Sequence, residues 1–186
     1  MRALLLAIAA IVASGLIRPV YAGNDAANPY AGQQARAIKA LSEADVAALR
    51  GGEGMGLAKA AELNGYPGPR HVLDLSGELG LGETQKQQVT AVKDRMSTAA
   101  RSLGAKLIER EAALDRLFAG GEITPERLNE EMAAIGKVQA RLRAAHLQAH
   151  IETRAILSTE QVAQYNRLRG YEEPASTPAH HGGHRH

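Results

Sequence analysis

The sequence predicts an all-α protein built on one long antiparallel helical hairpin. Two segments, residues 83–118 and residues 125 to about 156, repeat apolar side chains at steps of three, four and seven, the spacing of a single stripe along a helix. About five residues of turn chemistry separate them, and no stretch alternates apolar and polar residues over any length. A short connection lays consecutive helices side by side, so the pair must fold back on itself.

The first 22 residues, MRALLLAIAAIVASGLIRPVYA, stand apart from this pattern. Arg2 precedes an apolar run from Ala3 to Leu16 that is too short to span a bilayer, and Val20 and Ala22 occupy the two positions that a signal peptidase inspects. Residues 1–22 are therefore expected to be a secretory signal cleaved after Ala22. Its removal takes away Arg2 and Arg18 and leaves 20 basic residues against 20 acidic ones, so the pI of 9.0 gives no support to nucleic-acid binding. Cysteine is absent, and an exported chain without disulfides must be stabilised by packing. With six aromatic residues and no Trp, a base-stacking surface or a deep aromatic pocket is not expected.

Residues 23–35 are small and polar and read as a flexible lead segment. Residues 36–80 read as short helices. Ile38, Leu41, Val46 and Leu49 suggest helix over residues 37–49, with Ser42 and Asp45 spaced as a capping box able to restart a helix inside this stretch and Gly51-Gly52 as its stop. The block GMGLAKAAELNGYPGP suggests one short helix over residues 57–63, closed by Asn64-Gly65 and by Pro67 and Pro69, and a second follows near residues 71–79.

The first long helix carries Val89, Val92, Met96, Leu103, Leu107, Leu114 and Leu117 on its stripe and ends at Gly120-Gly121. Thr124-Pro125-Glu126 supplies a cap hydroxyl, a proline for the first helical position and an acid in the first turn. Leu128, Met132, Ile135, Val138 and Leu142 then mark the second stripe. At ~1.5 Å per residue each arm is about 45–55 Å long. A hairpin alone leaves both stripes uncovered, so cover must come from the N-terminal helices, a second copy of the chain or a client, with a homodimer favoured.

One five-residue frame occurs twice, LGETQ at residues 81–85 and LSTEQ at residues 157–161. The second copy is helix-start chemistry: Ser158 as N-cap, Gln161 reaching back to the cap's own N–H, and Leu157 packing on Val162 as a hydrophobic staple. In the first copy Leu81 and Gln85 keep their places, but Gly82 has no capping oxygen and Lys86 cannot close the staple. With the turn near residue 122, Leu81 lies 41 residues before it and Leu157 lies 35 after, which brings both frames to the same end of the hairpin.

LGETQKQQV and LSTEQVAQY resemble the paired LTxxQ motifs of the Spy/CpxP family of bacterial periplasmic proteins, over about residues 73–169, with Gly82 and Ser158 in place of the motif threonines. The resemblance implies a cradle-shaped antiparallel dimer in the periplasm that needs no cofactor. It further implies either an ATP-independent chaperone for unfolded envelope proteins or an envelope-stress adaptor working with a membrane-bound signalling protein. Residues 30–70 have no counterpart in that family pattern.

His146 and His150, one helical turn apart in HLQAH, project near the directions of Leu128 and Met132, with Asp94 and Met96 expected opposite. They are either partly buried stripe residues or a pair able to share a metal ion, as in the CnrX-like and ZraP-like relatives that the helix-borne histidines resemble. From residue 171 the chain is expected to be a disordered tail. It ends in HHGGHRH, where His180, His181, His184 and His186 suit zinc, copper or nickel. A catalytic site is not expected: no nucleophile-base pattern or phosphate loop occurs, and Glu130-Glu131 fit a solvated helix face.

Overall fold

The computed structural model describes residues 29–171, which contain six α-helices and no β-strand. In chain order these are α1 (Glu43–Gly51), α2 (Lys59–Glu62), α3 (Pro69–Asp74), α4 (Glu83–Ala119), α5 (Pro125–Ile156) and α6 (Thr159–Leu168). The expected signal and the histidine tail lie outside the described residues.

The hairpin forms as its turn chemistry dictates. Gly121 adopts a left-handed φ of 67° just past α4. Thr124 then caps α5, its hydroxyl accepting from the Arg127 N–H, and Pro125 takes the first helical position. No described helix is long and apolar enough to cross a membrane.

The short elements differ from expectation at their ends. Of the stretch read over residues 37–49, helix forms only from Glu43, where the Ser42–Asp45 box starts it as the spacing suggested; the box holds Ser42 extended at ψ 163°, and no helix precedes it. Ile38 and Leu41 meet in an isolated bridge ahead of it. The helix read over residues 57–63 shrinks to Lys59–Glu62, since Gly54 and Gly56 flank Met55 in a left-handed turn at φ 43°. Pro69 does not close that helix: it opens α3, which runs earlier than expected and stops at Asp74.

These N-terminal helices lie on the hairpin, α1 and α3 along α4 and α2 against α5. Two apolar clusters result. One gathers Val72, Leu79, Leu81, Val89, Leu157, Val162 and Tyr165 at the open end of the hairpin. The other joins Leu49 of α1 to Ala100, Leu107, Ile135 and Leu142 of the two arms. Lys39 fixes the approach from outside, its N–H and ammonium both directed at Asp115 at 3.2 and 3.4 Å.

The contact between α1 and α4 depends on one missing side chain. A Cβ at Gly104 would stand 2.2 Å from the Leu49 carbonyl oxygen, closer than any real contact. Gly104→Ala should therefore lower the urea midpoint even though alanine favours an isolated helix by about 1 kcal/mol, since overpacking of this kind costs about 1–3 kcal/mol or more. A midpoint that rises would mean that α1 does not dock there.

Candidate functional site

The two five-residue frames meet. The Gln85 amide donates to Gln161 Oε1 at 2.9 Å, and the Gln161 amide donates back to Gln85 Oε1 at 3.1 Å. Each carbonyl oxygen also accepts from the N-cap of its own helix, Gly82 N–H at 3.2 Å and Ser158 N–H at 3.0 Å. The second amide hydrogens go to Ile156 O and Leu79 O. Both side-chain amides thus use two donors and two acceptor directions, the full capacity of the group. Ser158 completes its box by accepting from the Gln161 N–H. Leu81 and Leu157, each 6% exposed, lie in the cluster beneath, and Val162 shares it with Leu157 as the staple requires. At the first frame Lys86 pairs outward with Glu83 instead.

Replacing either glutamine by leucine leaves the other amide short of partners in a half-buried setting, at a cost of about 1–3 kcal/mol. In urea titrations of Gln85→Leu, Gln161→Leu and the double variant, the double loss should fall well short of the sum of the singles, because each change already breaks the same contact.

The histidines of α5 are buried. His146 is 3% and His150 9% exposed. His150 Nδ1 lies 2.7 Å from the Tyr66 carbonyl oxygen, which can only accept, so that nitrogen carries a proton. His146 Nε2 is buried with no hydrogen-bond partner. Both rings line a cavity of about 340 Å³ together with Glu53, Gly68, Arg70, His71, Lys93 and Met96. Met96 thus sits by the pair as expected, whereas Asp94 is exposed and lies beside Lys93. Among the described residues no three His, Asp or Glu side chains gather closely enough to hold a metal ion.

The N-terminal block is tied down beside this cavity through Glu62. Its carboxylate accepts from the Tyr165 hydroxyl, the Tyr171 hydroxyl at 3.1 Å and the Gly68 N–H at 3.1 Å, and lies 3.6 Å from Arg169 Nε. Burial, and then the bond to Glu62, raises the Tyr165 pKa far above the phenol range, so this hydroxyl remains a donor. Gly68 passes so close to His150 that a Cβ there would stand 3.0 Å from the imidazole. Glu62, Tyr66, Gly68, Tyr165 and Tyr171 carried no signal in the sequence, since each acts through a partner distant along the chain.

The profile of the LTXXQ motif family protein matches residues 70–169, more than half of the chain, and both glutamines that meet at the hairpin's open end fall within it. The chain belongs to the LTXXQ motif family. This is the motif of Spy/CpxP-type proteins, as the paired frames imply. The match leaves out residues 29–69, in which Tyr66 bonds His150, Gly68 lines the histidine cavity and Glu62 accepts from Gly68. No curated protein and no solved structure matches the chain.

Burial, with the neighbouring His150 second, pushes the His146 pKa below its ordinary 6.5. The folded state therefore holds His146 neutral while the unfolded chain protonates first on acidification. The stability it contributes is complete above about pH 6.5 and is lost as pH falls through the folded value. Glu53, Arg70, His71, Lys93 and His150 also face the cavity, and none of them hydrogen-bonds His146 Nε2. With chelator present, the melting temperature should drop from about pH 8 to pH 5 by more in the native protein than in His146→Gln. Parallel curves would remove His146 as the cause.

Proposed function

We propose that this LTXXQ family member is exported to the periplasm and holds unfolded envelope proteins there without ATP, by binding and not by catalysis. The observation that carries the reading is the outer part of the hairpin, where the N-terminal segment reaches only its inner edge, at Ile108, Leu114 and Asp115. From residue 108 to residue 134 no side chain is fully buried, yet the two stripes continue: Ile108, Leu114, Leu117 and Leu128 are half-buried, and Phe118 and Met132 are 56% and 49% exposed. Arg110, Arg116, Arg127 and Glu130 flank them in the same turns. Burial among the stripe residues raises the Glu111 pKa. An open apolar band edged with both signs of charge suits loose capture of many sequences. Capture competes with self-association of the client and so slows aggregation.

The same band is the surface on which a second copy would pair to give the family's homodimer, and a membrane-bound signalling protein is a further partner of the adaptor type. At equimolar ratio and without nucleotide, the protein should suppress aggregation of a chemically denatured client measured by light scattering. Phe118→Ser with Met132→Ser should weaken suppression several-fold while the melting temperature stays put; absence of any suppression by the native chain at several-fold excess defeats the proposal.

A second reading, capture of zinc, copper or nickel, is favoured by one feature, the buried and unpartnered Nε2 of His146 beside His150.

A further inference from the structure

The segment ahead of α2 lies on the hairpin in the manner of a bound partner. It crosses α4 at Gly104, where the Leu49 carbonyl takes the space a side chain would fill, and Gly52 likewise passes close to Arg101. Before that crossing, Lys39 is directed at Asp115 at 3.2 and 3.4 Å. Leu41, Leu49 and Leu57 join Leu107, Ile135 and Leu142 of the arms in one apolar cluster. A helix with its apolar side in a groove is a recurring mode of peptide recognition, and here a cation on an acid adds polarity to it. Ile108 and Leu114 of the open band pack against the same cluster, so the covered stripe and the open one are continuous.

This seat is filled incompletely and held lightly. A cavity of about 730 Å³ remains between the segment and the arms, reaching from Leu41, Leu49 and Leu57 to Leu107, Gly136 and Leu142. Of the nine residues of α1 only Leu49 is buried, and a helix that short has little stability of its own. The Lys39 side chain is 51% exposed, so solvent weakens its pair with Asp115. Downstream the attachment is stronger: Glu62 holds two tyrosine hydroxyls and the Gly68 N–H, and the Tyr66 carbonyl holds His150. Between the two regions lie Gly54, Met55 and Gly56. Met55 takes a φ of 43°, a costly conformation for its type, and a Cβ at either glycine would meet nothing. The chain can therefore turn at residues 54–56 while α2 and α3 keep their places.

We propose that residues 36–52 are a resident stand-in for the client: they occupy the inner part of the capture face, and an apolar, helix-forming segment of an unfolded protein bearing a lysine or arginine displaces them. This rests on the holding function above and adds to it the kind of segment held and the regulation of the face. Displacement makes capture self-limiting. Without client the inner stripe stays covered, and a client must outbind the segment to reach it, which lowers its apparent affinity by the fraction of chains that are open.

The test uses the full mature chain and the light-scattering assay with a chemically denatured client. One variant, Lys39→Glu/Leu49→Ser, loosens the cover and leaves the hairpin face unchanged. A second, Lys39→Cys/Asp115→Cys, puts the chain's only thiols where the Lys39 N–H meets the Asp115 side chain, and its disulfide traps α1 between that bond and the Glu62 contacts. The loosened variant should reach the native level of suppression at a several-fold lower ratio to client. The oxidised variant should need a several-fold higher ratio than its own reduced form, a comparison within one folded sequence. In hydrogen exchange, client should speed the amides of α1 by about tenfold or more and leave those of α5 as slow as before. Suppression by the native chain with α1 exchange unchanged, and with oxidised and reduced forms alike, would overturn the displacement while the holding function stands. Self-association of the loosened variant with no gain in suppression would give the face to a second copy and overturn it too. Failure of the two thiols to join would mean that the segment does not lie on α4 there, and the seat falls with it. A native chain that neither suppresses aggregation nor loosens α1 on meeting client defeats both readings.

Discussion

The structure depends on the reciprocal hydrogen bonds between Gln85 and Gln161. Each glutamine closes the start of its own helix and at the same time holds the other, so a local device at two places becomes one long-range clamp. Without it, two arms of 37 and 32 residues would be joined at their far end by a turn and toward the near end by apolar contact and the exposed Arg95–Glu152 pair. The clamp sets the register there: Leu81 and Leu157 fall into one cluster, and α6 leads back across it with Val162 and Tyr165 buried. The amides are satisfied only in this pairing, which makes the arrangement specific as well as stable.

From that end the N-terminal block is laid onto the arms by contacts of a different kind. Gly104 admits the backbone of α1, and Glu62 gathers the hydroxyls of Tyr165 and Tyr171 with the Gly68 N–H. This covering stops part-way along the hairpin. Beneath it lies a polar-lined cavity with the two histidines; beyond it the apolar stripes continue in the open. Two unlike surfaces thus arise from one stripe pattern, divided by where forty-odd residues happen to lie.

Much of this was legible in the residues. The hairpin followed from Val89 to Leu117 and from Leu128 to Leu142, and the turn from Gly120 to Pro125, because periodicity and caps act over a few residues. The frames at Leu81 and Leu157 were readable as helix starts at one end of the hairpin for the same reason. The ends of the short helices were less readable. The Ser42–Asp45 box was readable as a restart, but the apolar pattern also ran ahead of it through Ile38 and Leu41, where no helix forms. Pro69 reads equally as a stop or a start, and the buried position of Pro67, Gly68 and Pro69 selected the start.

The sequence by itself determined the helical class, the hairpin, the caps and the position of the histidines on a stripe, since each is set by neighbours within one or two turns. Only the tertiary structure decided that the two glutamines bond to each other across 76 residues, that Glu62 meets Tyr165 across 103, and that His146 is left with a buried, unpartnered nitrogen. Those outcomes belong to packing, in which burial and hydrogen bonding are settled by groups far apart along the chain, and no local pattern records which partner a buried polar atom will find.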